Sequence, residues 1–226
     1  MGRLSNSFLG QAWLILVLAG VFGALLAAVH LSLSSRIEEN IRAEIMSEIP
    51  GLLMGGEALA GAAIMIEGEK VTVEPATGEP LTLTVVEEPS EAPALYRVSE
   101  GQSGDLLGWV ARGQDHGYAD VIDLLVGLTA DTDQITGIYV LNQKETPALG
   151  DGIVRSDFRS LFVGIPTDSP LTVGRDAAEA AKSPYAIQAL TGATVSSRSV
   201  CQIVNDTVVV VKSEIDGNAE GHDESP

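Results

Sequence analysis

A single cysteine, Cys201, in a chain of 226 residues excludes an internal disulfide and any metal cluster held by cysteines alone. Histidine is almost as scarce: His30, His116 and His222 stand far apart and make no metal-ligand spacing. Aromatic residues account for only 4% of the chain, and its two tryptophans fall in an apolar run and in a strand-like run. Basic charge is short too. Against 31 Asp and Glu there are 13 Lys and Arg, a formal net charge of -18, which argues against nucleic acid or an anionic bilayer surface as a binding partner.

Charge of either sign is missing altogether from Leu4 to Ser35, and the apolar stretch Phe8 to Leu31 exceeds the ~20 residues needed to span a bilayer. The expectation is a transmembrane helix over residues 8–33, preceded by a short amino-terminal segment, residues 1–7. A cleaved signal peptide is the competing reading, because Ala27-Ala28-Val29-His30 is rich in small residues, but the run is longer than a typical h-region of ~7–15 residues. Gly20, Gly23 and Ala27 have the small-residue spacing that lets a neighbouring helix approach. Arg3 precedes the run while Arg36 and Arg42 follow it, so the distribution of positive charge gives no orientation.

Residues 34–63 read as an amphipathic stalk and connector. Ile37, Ile41, Ile45 and Ile49 recur at four-residue spacing, in a helix that either prolongs the membrane segment or packs on a domain, and Pro50-Gly51 is expected to end it. Short β-like runs follow: Ile64–Ile66, Lys70–Val73, Leu81–Val86, Ala94–Val98 and Leu106–Ala111, separated by Gly, Pro, Ser and acidic turns. Val121–Leu128 and Ile135–Leu141 read as a hairpin around Ala130–Gln134. Asp131 and Asp133 in that loop lack the glycine and distal glutamate of a calcium loop, so a turn is expected. The fold class is therefore α+β, with a mainly antiparallel sheet and flanking helices over residues 64–215. Asp176 onward gives a short alanine-rich helix stopping at Ser183-Pro184. Val200, Val204, Val208, Val211 and Ile215 fall on one helical face, yet Thr207–Val211 is also good strand material; a helix is favoured because an anion niche at Thr191–Thr194 requires one to begin there. Residues 216–226 read as a disordered acidic tail.

Two loops carry candidate chemistry. In Thr191-Gly192-Ala193-Thr194 the near absence of side chains at Gly192 and Ala193 lets the backbone turn sharply, while Thr191, Thr194, Ser196 and Ser197 offer hydroxyls. A helix beginning near Thr194 would present unpaired amides and a dipole to an anion, with Arg198 adding a charge-assisted bond. An ordinary turn with a Ser/Thr cap uses the same residues. In Glu145-Thr146-Pro147-Ala148-Leu149-Gly150, at the end of the hairpin, Pro147 fixes one dihedral, Gly150 frees another, and Glu145 and Thr146 supply an acceptor and a hydroxyl.

Together these loops resemble the FMN-binding subunits of the Rnf electron-transport complex (its G subunit) and of the sodium-pumping NADH:quinone reductase (its C subunit). Thr191-Gly192-Ala193-Thr194 is similar to that family's Ser/Thr-Gly-Ala-Thr flavinylation motif, and Glu145 to Gly150 to its Glu-Thr-Pro-Gly-Leu-Gly motif; Gly117-Tyr118 matches the Gly-Tyr segment before it. Gln188 stands where the family usually has Asp, and Ala148 where it has Gly. The resemblance implies FMN joined covalently to Thr194 through a phosphoester made by a separate flavin transferase. It places Thr191, Gly192, Ala193, Glu145, Thr146, Leu149 and Gly150 around the cofactor, with no catalytic acid, base or nucleophile and no metal. It implies an electron relay within an ion-translocating oxidoreductase complex, alongside other membrane subunits, with the FMN domain exported from the cytoplasm. A membrane-anchored binding or assembly module without cofactor is the alternative. A Ser196 or Thr194 hydrolase lacks a nearby histidine and a Gly-x-Ser-x-Gly elbow.

Overall fold

The computed structural model describes residues 8–55, 59, 61–75, 79–90 and 94–221; the expected amino-terminal segment 1–7, part of the glycine-rich connector and the last five residues of the expected tail lie outside them. The chain divides into two units, Met1–Ala43 and Glu44–Pro226. The described part of the first unit is helical, belonging to α1 (Phe8–Met54). Among the described residues one helix, Trp13–Met54, is long and apolar enough to cross a membrane, and its apolar side chains from Trp13 to Leu33 are exposed, Trp13 at 68% and Leu31 at 72%.

In the second unit, the last turns of α1 are packed. Ile45, Met46, Ile49 and Leu52 are buried, within the unit that begins at Glu44. The helix does not stop at Pro50-Gly51, as its proline suggests, but runs to Met54. An interior proline costs a helix about 3 kcal/mol, whereas burying four large apolar side chains stabilises by roughly 1.5–3 kcal/mol each, so packing prevails. The helix closes at Gly55, whose φ of +86° and N–H bonded to the Gly51 carbonyl at 3.1 Å form a left-handed cap.

The sheet follows the expected runs with longer ends: β1 (Ala63–Glu67), β2 (Lys70–Glu74), β3 (Leu81–Glu88), β4 (Leu95–Glu100), β5 (Leu106–His116), β6 (Val121–Thr129) and β7 (Ile135–Asn142). Its seven strands lie in sequence order, each antiparallel to the next. The continuous apolar run of β6 reflects burial on both faces, with Ile122, Leu124, Val126 and Leu128 in the main core and Leu125 also fully buried. The loop from β6 to β7 is an Asx turn, Asp131 accepting from the Asp133 amide at 3.2 Å and from the Thr129 hydroxyl.

Beyond β7 come the Glu145–Gly150 loop, a 3-10 turn (Gly150–Val154) and α2 (Ser156–Arg159). Then β8 (Thr172–Gly174) pairs in parallel with β9 (Ala186–Gln188). The alanine-rich segment between them forms only one turn, α3 (Ala177–Ala180), capped by Asp176 accepting from the Glu179 amide at 2.8 Å. The long helix α4 (Thr194–Gly221) lies on β5 and β6, burying Val200, Cys201, Ile203, Val204, Val208 and Val211. It continues past Asp216, where the sequence suggested a disordered tail; Ile215 still packs on the core, and no Gly or Pro interrupts the helix before Gly217.

Candidate functional site

Three segments distant in sequence meet at the end of the sheet: the turn between β5 and β6, the Glu145–Gly150 loop after β7, and the first turn of α4. The turn closes through the Gly117 amide bonded to the Asp120 carbonyl at 2.8 Å. The carboxylate of Glu145, only 4% exposed, joins the three. Its Oε1 accepts from the Ala119 amide at 3.0 Å and its Oε2 from the Ser196 hydroxyl at 2.6 Å, which pairs both oxygens of a buried anion. Gly150 is the reason the loop can come so close, since a Cβ there would lie 2.7 Å from Ser196 Oγ and 2.8 Å from Glu145 Oε2.

The loop preceding α4 is held from within. Ser197, fully buried, accepts from the Leu190 amide at 3.0 Å and donates to the Ala193 carbonyl at 3.0 Å. The Ala193 amide bonds the Leu190 carbonyl at 3.0 Å, and the Ala189 amide bonds the Gly174 carbonyl of β8 at 2.8 Å. Gly192 takes a φ of +80°, a conformation that favours glycine. Thr194 is then the first residue of α4, half-buried, with Val195 beside it 46% exposed. The first turn contains no acidic residue of its own, and its leading amides have no acceptor within the helix, so the helix dipole there opposes the Glu145 carboxylate held by Ser196.

Between these loops and α2 lies a cleft of about 570 Å³, within the range of small-ligand sites. Ala148, Leu149, Leu190, Phe158 and Leu161 give it an apolar wall, while Thr191, Gln188, Asp151, Arg155 and Asp157 supply polar groups. Arg155 Nε donates to Asp157 Oδ1 at 3.1 Å, and this hydrogen bond holds the Asp157 carboxyl below its ordinary range.

Residues 117–209, which include both loops, match the family described as the FMN-binding domain. The chain is also 30% identical over 147 residues to the G subunit of the ion-translocating oxidoreductase complex of Methanosarcina acetivorans, covering 65% of this chain and 73% of that one. The chain belongs to the family of G subunits of Rnf-type ion-translocating oxidoreductase complexes. Two further relatives of this Rnf-family chain are 32% identical to it. The G subunit of the Na(+)-translocating ferredoxin:NAD(+) oxidoreductase complex of Acetobacterium woodii aligns over 57% of this chain and 59% of its own length. That of the proton-translocating ferredoxin:NAD(+) oxidoreductase complex of Clostridium ljungdahlii aligns over 45% and 52%. Among solved structures, Shewanella oneidensis NqrC is similar at 24% identity with a TM-score of 0.43, over 50% of this chain and 54% of that one.

In this Rnf-family chain, the residues singled out from the sequence divide into two groups. Leu149 and Thr191 line the cleft, and Leu149 reaches over the Thr191–Thr194 turn, its Cδ2 lying 2.9 Å from where a Cβ on Gly192 would stand. Glu145 and Gly150 do not line it; they are buried beneath the loops, because the carboxylate is taken up by Ala119 and Ser196. Thr146 is exposed and contributes its carbonyl, which accepts from the Leu149 and Asp151 amides at 3.2 and 3.3 Å. Ala193 is buried and Thr194 half-buried at the helix start, neither among the cleft-lining residues. Ser196 and Ser197, read from the sequence as hydroxyls for an anion, are committed to Glu145 and to the loop backbone instead. Arg198 is exposed. Arg155, Phe158 and Leu161 had no motif to mark them; only their place after a functional loop connects them to the cleft.

Proposed function

We propose that this protein is an electron-transfer subunit of an Rnf-type ion-translocating complex, and that it carries FMN on Thr194 through a phosphoester. The observation that carries the reading is the contact between the two motif loops: Leu149 closes over Gly192 beside a cleft with an apolar wall, at the start of a helix whose first residue is Thr194. These residues fit the group. A phosphate suits the leading amides of a helix start beside a half-buried hydroxyl, and an isoalloxazine ring needs an apolar wall with a few polar groups. When bound, the flavin would supply one- and two-electron redox chemistry, for which no acid, base or nucleophile of the chain is required.

On this reading the Thr194 hydroxyl bonds to phosphorus of a flavin donor activated as an anhydride. The anhydride oxygen leaves with the rest of the donor, and the hydroxyl proton passes to a base of the transferase. Leu149, Leu190 and Phe158 of the cleft would pack against the flavin and exclude water, while Thr191 and Gln188 would supply polar groups to orient it. Residues 8–33 serve as the membrane anchor, with residues 1–7 cytoplasmic and the FMN domain on the extracytoplasmic side. A tethered cofactor on that side is not lost by dilution. The partners are the other membrane subunits of the complex.

Intact-protein and peptide mass spectrometry of protein co-expressed with a flavin transferase tests the assignment. The expected result is the mass of one FMN residue on the peptide containing Thr194, absent in Thr194→Ala and retained in Thr194→Ser. A colourless protein with that peptide unmodified would leave the membrane-anchored module without cofactor as the surviving reading.

A further inference from the structure

The first turn of α4 is secured differently from the rest of the helix. From Val200 onward, Val200, Val204, Val208 and Val211 fasten α4 to the core by apolar packing. Before Val200 the helix depends on hydroxyls: Ser197 to the Leu190 amide and the Ala193 carbonyl, and Ser196 to Glu145. Of these, only the Glu145 contact reaches out of the Leu190–Ser197 segment to another part of the fold, 51 residues back along the chain. The other oxygen of the same carboxylate is held by the Ala119 amide, 26 residues away. Glycine at 117 and at 150 leaves the carboxylate its space; a Cβ at either position would collide with it.

We infer that Glu145 is a positioning residue: its buried carboxylate, held by the Ala119 amide and the Ser196 hydroxyl, fixes the turn on which Thr194 is presented for modification. It does this without facing the cleft, since both of its oxygens are paired and the side chain is shielded from solvent. The inference rests on the reading that Thr194 carries FMN. Removing the carboxylate frees the Ala119 amide, which solvent can reach, but strands the buried Ser196 hydroxyl, and such a group re-pairs by local rearrangement, here of the first helical turn. The helix beyond Val200 has no reason to follow. Local order at Thr194 and global stability therefore separate.

The test compares wild type with Glu145→Ala, Glu145→Gln, Ser196→Ala and a remote core control, Val204→Ala. FMN on Thr194 is read by intact mass after co-expression with a transferase, and amide exchange at Leu190, Ala193 and Ser197 is read in unmodified protein made without it. Glu145→Ala is expected to lower FMN occupancy at least tenfold under limiting transferase and to speed exchange at those three amides at least tenfold. Glutamine can accept from the Ala119 amide and donate to Ser196 Oγ, so Glu145→Gln should restore most of both. Ser196→Ala, which leaves the Ala119 contact, should fall between, and remains informative if Glu145→Ala does not fold. Val204→Ala should lower the melting temperature while keeping full occupancy. A folded Glu145→Ala with wild-type occupancy and wild-type exchange would overturn the inference, as would a Val204→Ala that loses FMN in proportion to stability. If wild type itself carries no FMN on Thr194, the attachment reading falls alone, and the exchange comparison still decides whether Glu145 orders the turn.

Discussion

Leu149 closes on Gly192: its Cδ2 lies 2.9 Å from the position a Cβ on Gly192 would take, and Gly192 itself has a φ of +80°. Gly192→Ala therefore costs about 1–2 kcal/mol for a left-handed non-glycine residue. The added methyl group meets only the tip of the Leu149 side chain, which is 45% exposed and turns aside at little further cost. Urea unfolding of Gly192→Ala, Leu149→Ala and the double variant should show the cost of Gly192→Ala unchanged within about 0.5 kcal/mol when Leu149 is trimmed. A larger fall would mean that the Leu149 side chain is fixed against the turn.

Ala148 carries a strain of the same kind. Its φ is +60°, at the position where the motif it resembles usually has glycine. Ala148→Gly relieves about 1–2 kcal/mol of left-handed strain and gives back about 0.4–1 kcal/mol in unfolded-chain entropy. The net expectation is stabilisation by roughly 0.5–1 kcal/mol, as a higher urea midpoint with unchanged slope. Ala148→Val should destabilise, because a branched Cβ suits that conformation least. A destabilised Ala148→Gly would show that the methyl group contributes packing in the cleft wall that outweighs its strain.

How far the sequence could reveal this arrangement follows from the range of the forces involved. The strands of the meander are marked by local alternation and turn residues, and α4 by valines at 200, 204, 208 and 211, so both were legible. The passage of α1 through Pro50 was not, because burial of Ile49, and of Leu52 against Gly127 of β6 and Gly137 of β7, overrides a local breaker. Nor was the β8–β9 pair, whose three-residue strands carry too little pattern. At the site, both loops announced themselves through glycine, proline and hydroxyl content. The inward turn of Glu145 did not, since its donors come from Ala119 and Ser196, and nothing near Glu145 in the chain predicts them.

Away from the site, Arg112 and Asp123 pair across β5 and β6, Arg112 Nε lying 2.9 Å from Asp123 Oδ1 with Nη2 directed at Oδ2. The hydrogen bond to Asp123 holds the guanidinium above its ordinary range, and the side chains are 28% and 11% exposed. Arg112→Ala leaves a carboxylate without its partner at a largely buried position. The expected cost at neutral pH is about 2 kcal/mol by urea unfolding, in line with hydrogen bonds to charged groups. Arg112→Met combined with Asp123→Leu should recover most of it, because apolar replacements need no desolvation of charge. A double variant no better than the single one would mean that the pair sets the strand register as well as balancing charge.

Cys201 sits on the buried face of α4, 2% exposed, where burial pushes its thiol from 9.0 up to about 12. The thiolate is the reactive form, so at pH 8 the native thiol should resist iodoacetamide, with labelling at least a hundredfold slower than in urea. The same shift has a sign for stability. Between pH 9 and about 12 the unfolded chain has released the thiol proton while the folded chain retains it, so the unfolded state binds fewer protons and stability falls as pH rises. Below pH 9 both states hold the proton and the contribution is flat. Cys201→Ala removes this group from the balance, at the price of a small cavity, and the fall in stability from pH 9 to pH 11 should be shallower than in wild type. Other groups that titrate in the alkaline range affect both proteins equally, so the difference between the two curves isolates the thiol. Rapid labelling of the native protein at pH 8, with unchanged curves, would instead mean that this part of α4 opens to solvent far more often than its packing implies.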